Sequence, residues 1–424
     1  MKKIIFLIPI FIFAESFNDL KNDIVNSFNY KIAKKKVKLY KEKVQLLNSK
    51  NYGDLKVNYQ GIYFFDQPYV NTQTAVAVVN NQLIYKDIEV NTADKSHYIG
   101  EIKYSFPIFN KTLNSNIKKS KIEVIKQQLE VENVKRILFL KATRLYAQIY
   151  GVNQNIKALQ VAKQALSDSK EKAKALYDSG LLDKSNYDDI NAKYYEIIAQ
   201  IEDFKSKKNS LLSTLSYLLN KKITKIDALN IDDKNFEPNF ENRADIKIIK
   251  KQLDLSNQDI KIAKSNYYPE IGIQIALKRE SDNLGLSNNE YSNLDKSYIA
   301  IGISYNFDTS KKHKLEMAKI AKNINLMFYT DYLNKIKTEY KSDLNIKKAL
   351  FYQLKSIKEE IKARESYYSY IKSKFNEGLA DSTDLNNAIA KLAQSKAKKE
   401  YIKSEIFFLS EKLKVNGGID VFSK

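Results

Sequence analysis

The sequence predicts a mainly α-helical chain in which a long coiled-coil hairpin occurs twice, together with a few β-strands. The phrase YDSGLLDKSNYDD at residues 177–189 returns 198 residues later as FNEGLADSTDLNN at 375–387. No proline occurs between Pro107 and Pro238 or after Pro269, so helix breakers are scarce over both long intervals. Apolar residues there recur in steps of three, four and seven, which is typical of helices packed as coiled coils. The fold class follows from these three observations.

The N-terminus carries an export signal in its pattern. Lys2 and Lys3 precede the apolar run Ile4–Phe13 and the small residue Ala14. This order of a basic region, a short apolar region and a small residue predicts a cleaved signal peptide over residues 1–14. The alternative is a buried N-terminal helix. The run is too short to cross a bilayer, which takes about 20 apolar residues.

Two helical hairpins follow from the heptad pattern. A helix is predicted from about residue 111 to 178, which at about 1.5 Å per residue is ~100 Å long. The apolar seam of the next helix, up to residue 219, reappears 198 residues later at Leu385, Ala388, Leu392, Ile402, Ile406, Leu409 and Leu413. The sequence therefore predicts a first repeat over 15–219 with its tip near 180 and a second over 242–415 with its tip near 378. A linker over 220–241 and a tail over 416–424 complete the chain.

Four segments alternate apolar and polar residues, as half-buried strands do. They lie at about 54–65, 97–109, 269–279 and 297–307. Their length suits transmembrane β-strands, and an ordinary half-buried sheet is the alternative. A sheet inside lipid must close into a barrel, and four strands cannot close. If these strands span a membrane, several copies of the chain share one barrel.

Composition excludes several kinds of chemistry. The chain has no cysteine, so it forms no disulfide and has no thiol nucleophile. His97 and His313 are far apart in sequence, and no phosphate-binding loop or zinc spacing is present. We therefore expect no enzyme activity, no metal and no cofactor. The net charge of +21 is compatible with a nucleic-acid partner, but the lysines are spread along the chain and the signal predicts export, so we expect none.

The order of these elements resembles the TolC-like outer-membrane efflux protein family. The most specific marks are the turns YDSGLL and FNEGLAD, the strand-to-helix segments YSFPIFN and ISYNFD, and RADIKIIKKQLDLSNQDIKIAKSNYYPEIGIQ at 243–274, which opens the second half. The resemblance covers essentially the whole mature chain. Singly each mark is weak, but their shared order and offset make them specific together.

The resemblance implies a homotrimer in the outer membrane of a Gram-negative bacterium. Each chain would contribute four strands to a 12-stranded β-barrel and its helices to a periplasmic α-barrel. Such proteins are passive exit ducts of tripartite efflux pumps or type I secretion systems. The implied partners are outer-membrane lipid, a periplasmic adaptor (membrane fusion protein) and an inner-membrane pump of the RND, ABC or MFS type. The alternative is a periplasmic coiled-coil adaptor or structural protein without a barrel, against which the duplicated hairpin and the strands argue.

The two turns would dock the adaptor if the resemblance holds. The implied docking residues are Tyr177, Ser179, Gly180, Leu181, Phe375, Glu377, Gly378 and Leu379. Glycine accepts the positive φ that ends a helix and leaves room for another helix tip. The next helices can be capped by Asp183 and Asp381, with Ser185 and Thr383. A plainer interpretation is that the glycines only turn the chain.

A second family feature is a ring of acidic residues that closes the periplasmic tip. Asp384 takes the matching place, six residues after Gly378. A threefold ring of this residue would bind cations and help to keep the pore shut. The next family acid falls at Asn387, where the sequence departs from the pattern. An ordinary solvated aspartate is the alternative.

Overall fold

The computed structural model describes residues 16–92, 94–231, 236–286 and 297–422. The predicted signal peptide lies outside the described residues. The chain divides into two compact units, the first over 1–37, 125–252 and 325–424 and the second over 38–124 and 253–324. The chain is mainly helical with two long helical hairpins, which confirms the predicted fold class.

Seven α-helices are present in the described residues, and six of them form two matching sets of three. The helices are α1 Phe17–Asp23, α2 Phe28–Ser49, α3 Lys111–Asp178, α4 Lys184–Leu219, α5 Ala244–Ser265, α6 Lys311–Asn376 and α7 Ser382–Asn416. Helices α2, α3 and α4 have 22, 68 and 36 residues, and α5, α6 and α7 have 22, 66 and 35. The duplication seen in the turns thus extends to the lengths of all three helices.

None of the helices in the described ranges combines the length and the hydropathy that crossing a bilayer requires.

Six strands are present in the described residues, two more than the sequence predicted. They are β1 Asp54–Tyr63, β2 Tyr69–Val79, β3 Gln82–Asn91, β4 Ser96–Phe109, β5 Glu270–Ser281 and β6 Tyr298–Ser304. The unpredicted pair, β2 and β3, forms an exposed hairpin. Asn80 and Asn81 turn it at φ 50° and 61°, the left-handed conformation of a two-residue hairpin turn. The first predicted strand ends at Tyr63 and not at residue 65.

The other four strands form one antiparallel sheet in the order β1-β4-β5-β6. Register brings their apolar residues into rows, one of which runs Leu55, Tyr104, Ile275 and Ile299. The apolar face of the sheet consists of such rows, and its exposed members include Val57, Tyr59, Ile102, Leu277, Ile301 and Ile303. The second unit of the single chain therefore carries a broad apolar surface in contact with solvent.

The opposite face of the sheet is polar. Lys56 lies opposite Lys103, and Glu101 lies between Asn58 and Lys278. The side chain of Asn58 donates a hydrogen bond to Oε2 of Glu101 over 3.3 Å. The two faces thus differ as the alternation of the sequence predicts.

The linker and the tail join the core of the first unit. Tyr146 is fully buried, and its hydroxyl accepts a hydrogen bond from the backbone N–H of Asp227 in the linker over 3.1 Å. Phe422 in the tail packs against Phe139 with ring centroids 5.5 Å apart. The backbone N–H of Asn239 donates to the carbonyl of Gly417 over 2.7 Å. These contacts hold both segments against the helices.

A buried charge network lies beside these contacts. Asp245, 6% exposed, accepts hydrogen bonds from Arg136 over 2.8 Å, from Arg243 over 3.0 and 2.7 Å and from Tyr332 over 3.1 Å. Burial raises the pKa of Asp245, but the hydrogen bonds of Arg243 and the charge of Arg136 outweigh burial and hold this pKa below its usual range. Arg243 also donates to the carbonyl of Asn416 over 2.9 Å. The network thereby ties α3, α5, α6 and α7 together in the first unit.

Candidate functional site

Both helical hairpins end in the same turn. Gly180 and Gly378 have φ of 73° and 75°. The N–H of each glycine donates to the third residue before it, Tyr177 or Phe375, and the N–H of the next leucine reaches one residue further back. This pair of bonds is the Schellman motif, which needs a left-handed residue at the glycine position. A Cβ at either glycine would meet no atom within 4 Å, so both turns face open space.

Most of the predicted docking residues are exposed at these turns. Leu181 and Leu379 are 71% and 69% exposed, and Tyr177 is 41% exposed. Ser179, Gly180, Glu377 and Gly378 are exposed as well. Each tip therefore presents a large apolar side chain to solvent, beside polar groups and an open glycine.

Phe375 differs from what the docking prediction expects. It is only 1% exposed and packs in an apolar cluster with Ile371, Leu385 and Ile190, which belong to α6, α7 and α4. Its counterpart Tyr177 is largely exposed although both precede their glycine by three residues. The side chain of Phe375 is therefore part of the core under the tips and is not available to a partner.

The two helices that follow the turns begin differently. Asp381 caps α7, because its Oδ1 accepts a hydrogen bond from the N–H of Asp384 over 2.8 Å. Asp183 stands at the same place before α4, but its side chain makes no capping hydrogen bond. The capping prediction is therefore correct for Asp381 and wrong for Asp183.

Two hydrogen bonds join the first hairpin to the second near the tips. The N–H of Ser382 donates to Oδ1 of Asn186 over 2.9 Å, and Nδ2 of Asn386 donates to Oδ2 of Asp189 over 2.8 Å. Ser382 and Asn386 are both buried. Sequence reasoning missed all four residues, although a polar residue beside the apolar seam residue Leu385 was a usable signal.

Asp384 lies in the first turn of α7 and is exposed. Within the described residues its carboxylate forms no ion pair and no hydrogen bond. Negative charge is favourable at this end of a helix because the backbone N–H groups there are unpaired. The position 198 residues earlier is Asn186, which binds the second hairpin, so the two repeats use this place differently.

The described residues contain no group of three His, Cys, Asp or Glu side chains placed to hold a metal ion. His97 stands at the start of β4 with Nε2 3.5 Å from Oε2 of Glu280. His313 belongs to the first turns of α6. The two histidines thus occupy different elements, and neither forms part of a metal cluster.

Comparison with known proteins identifies the fold through structure. Neither a protein-family model nor a curated protein sequence matches the chain. The outer-membrane protein VceC of Vibrio cholerae is similar over 95% of this chain and 96% of its own, with a TM-score of 0.75 and 15% identity. The CmeC outer-membrane channel of Campylobacter jejuni is similar over 95% of this chain and 85% of its own, with a TM-score of 0.75 and 14% identity.

A third similar structure is CusC, which is described in terms of folding and transmembrane channel formation. It covers 96% of this chain and 93% of its own, with a TM-score of 0.78 and 13% identity. The similarity of all three structures extends over nearly the whole chain. The chain therefore has the fold of the TolC-like outer-membrane channels, as the resemblance of its motifs implies.

Proposed function

We propose that this protein is an outer-membrane exit duct of a tripartite efflux pump or a type I secretion system. It conducts substrates passively and carries out no chemical reaction. One observation carries the proposal, namely a sheet with a continuous apolar face in a chain whose helices form two hairpins with the same exposed turn. The similar structures are outer-membrane channels, which supports the same role.

The apolar face suits contact with lipid. Aromatic residues flank its aliphatic rows at both ends, with Tyr63 and Tyr98 at one end and Phe106 and Phe307 at the other. Phe307 is 91% exposed. Such flanking aromatics are typical of strands that cross a membrane, because their rings favour the interface between lipid and water. The polar face would then line the lumen.

The edges of the sheet support a shared barrel. Within the described residues, β1 and β6 each pair with one neighbour only. An unpaired edge inside lipid costs several kcal/mol per backbone group, so β1 of one copy pairs with β6 of the next. Three copies give a homotrimer with 12 strands, within the size range of natural barrels.

Exposed apolar stripes on the helices also favour association between copies. Helix α2 exposes Phe28, Ile32, Leu39 and Leu46, each more than half exposed, at heptad-like spacing. Helix α6 exposes Met317, Ile320, Ile324 and Met327 in steps of three and four. Seams of this kind are buried when helices pack side by side. In a trimer they would meet across the boundaries between copies and close a helical tube.

The helical tips are the proposed docking surface for the periplasmic adaptor, behind which an inner-membrane pump of the RND, ABC or MFS type would stand. Leu181 and Leu379 supply apolar contact, and the open space at Gly180 and Gly378 admits an approaching helix tip. Phe375 supports this surface from below. Asp384 would form the threefold acidic ring that closes the tip.

The first test is the mass of the protein, corrected for detergent, after extraction from isolated outer membranes. About three chains per particle are expected from the strand count. A protein that salt releases from the membrane, or a particle with the mass of one chain, would contradict the shared barrel. It would favour a soluble periplasmic coiled-coil protein instead.

A further inference from the structure

A stripe of lysines runs along one face of α2. Lys31, Lys34, Lys35, Lys38 and Lys41 are all exposed, and the only acidic residue among them is Glu42. None of the five forms an ion pair with a described carboxylate. Elsewhere the chain pairs its lysines readily, as in Lys43 with Glu123 at 2.8 Å. The stripe is therefore an uncompensated positive surface.

The direction of this stripe follows from the other two faces of α2. The buried face contains Ala33 and Val44, with the half-buried Val37, Tyr40 and Leu47. At about 100° per residue, the exposed apolar stripe of Phe28, Ile32, Leu39 and Leu46 lies about 120° from this face. The lysine stripe lies on the far side, within the remaining sector of about 240°.

In the proposed tube, the two apolar faces of α2 contact neighbouring helices. In a closed ring, the directions from one helix to its two neighbours enclose less than 180° on the inner side. The inner side of α2 is therefore the sector of about 120°, and the lysine stripe faces outward. This orientation rests on the proposed function.

The stripe lies too far from the membrane to bind lipid headgroups. Lys41 and Lys31 precede the end of α2 at Ser49 by 8 and 18 residues, which is about 12 and 27 Å along the helix axis. Headgroups extend only about 5–8 Å beyond the hydrocarbon. The partner must therefore be a polyanion located in the periplasm itself.

We infer that the lysine stripe of α2 binds peptidoglycan through its carboxylates. Peptidoglycan is the polymer of the Gram-negative periplasm that carries carboxylates at regular intervals. Five lysines spread over about 15 Å of helix match several carboxylates at once. Three copies in a trimer would place this surface around the whole tube and anchor the duct in the cell wall.

The test is sedimentation of the detergent-solubilised full-length protein with purified peptidoglycan sacculi. The stripe variant changes all five lysines to glutamine, which has a similar helix propensity. The matched control changes Lys335, Lys341, Lys348, Lys355 and Lys358 of α6 to glutamine, with the same loss of charge. These lysines are exposed too, but acids such as Glu339 and Glu359 are interspersed among them.

We expect the wild type and the control to bind sacculi alike and the stripe variant to bind at least about tenfold less. Binding should also be lost on sacculi whose carboxyls have been amidated, and at about 1 M NaCl, where the Debye length is about 3 Å. Equal binding by the stripe variant, or an equal loss in both variants, would overturn the inference. So would binding to phosphatidylglycerol vesicles that depends on the same lysines, in favour of a lipid partner.

The oligomer mass separates this inference from the proposed function. A wild type that is a trimer but does not bind sacculi removes the lysine stripe as a cell-wall site and leaves the duct intact. A wild type with the mass of one chain removes the duct and, with it, the outward orientation of the stripe.

Discussion

Nδ2 of Asn386 donates a hydrogen bond to Oδ2 of Asp189 over 2.8 Å and so joins the second helical hairpin to the first near its tip. The two residues are 197 positions apart in sequence. Asn386 is 7% exposed, so water has little access to replace the bond.

Replacing Asn386 by alanine should loosen the tips. The change removes the hydrogen bond to Asp189 and costs about 1 kcal/mol, while the packing of α7 against α4 remains. We expect a higher mean single-channel conductance in planar bilayers than for the wild type. The matched control is Asn387→Ala, which changes the exposed neighbour. Identical conductance of the Asn386 and Asn387 variants would show that the bond does not restrain the tips.

Gly180→Asp and Gly378→Asp should abolish export and leave an assembled oligomer. A non-glycine residue at positive φ costs about 1 kcal/mol, which a long hairpin tolerates. The new side chain would enter the open space at the turn and block an approaching adaptor. Export from cells and detergent-corrected mass measure the two effects separately. An unassembled product would mean that the glycines serve only to turn the chain.

Leu379→Ala and Phe375→Ala should separate docking from stability. Leu379 is 69% exposed, so its truncation should change the free energy of unfolding by less than about 0.5 kcal/mol and still reduce export. Phe375 is 1% exposed, and its truncation should cost about 3–5 kcal/mol because it leaves a cavity. Thermal unfolding and limited proteolysis at the tip measure the difference. A stable Phe375 variant would contradict its place in the core.

Asp384→Ala should raise single-channel conductance, because it removes the proposed acidic ring and the cations that this ring holds. Asp384→Asn should have a similar effect, since it too removes the charge. Asp188→Ala is the control, since Asp188 is an exposed acid near the start of α4. If the closed state of the Asp384 variants matches that of the wild type, Asp384 is not part of the gate.

Asp245 should make stability depend on acid pH. Its pKa in the folded chain lies below its ordinary value of about 3.9, so the stabilisation is present above that value and is lost as the pH falls through the folded pKa. Asp245→Asn should cost about 3–5 kcal/mol, since it leaves the buried charges of Arg136 and Arg243 uncompensated. Thermal unfolding between about pH 2 and 7 measures both effects. A variant with wild-type stability near neutral pH would show that the network contributes little.

The sequence was most informative where local pattern alone decides structure. The alternation of Ile299, Ile301 and Ile303 predicted a strand that the structure contains, and the spacing of Gly180 and Gly378 predicted two equal turns. The β2–β3 hairpin was missed because its strands mix Thr, Asn and Gln with Val, which weakens the alternation.

Contacts between distant segments could not be predicted in the same way. Phe375 and Tyr177 hold equivalent positions in the two repeats, yet only Phe375 is buried, because burial depends on which other helices pack there. The bond from Asn386 to Asp189 likewise depends on how the two hairpins pack. Repetition in the sequence predicts equal backbone conformation, and the surroundings of each copy then differentiate the side chains.

The lengths of the two repeats have a consequence for how this molecule can change. Strands β1 and β5 begin 216 residues apart, whereas Gly180 and Gly378 are 198 apart. The surplus of 18 residues therefore lies before α3, and β1 and β4 are joined by a longer segment than β5 and β6, the one that contains the β2–β3 hairpin. Insertions in this loop are absorbed before the helices begin. The loop end of the sheet is thus free to diversify, and a peptide tag between Asn80 and Asn81 would leave the helical register untouched.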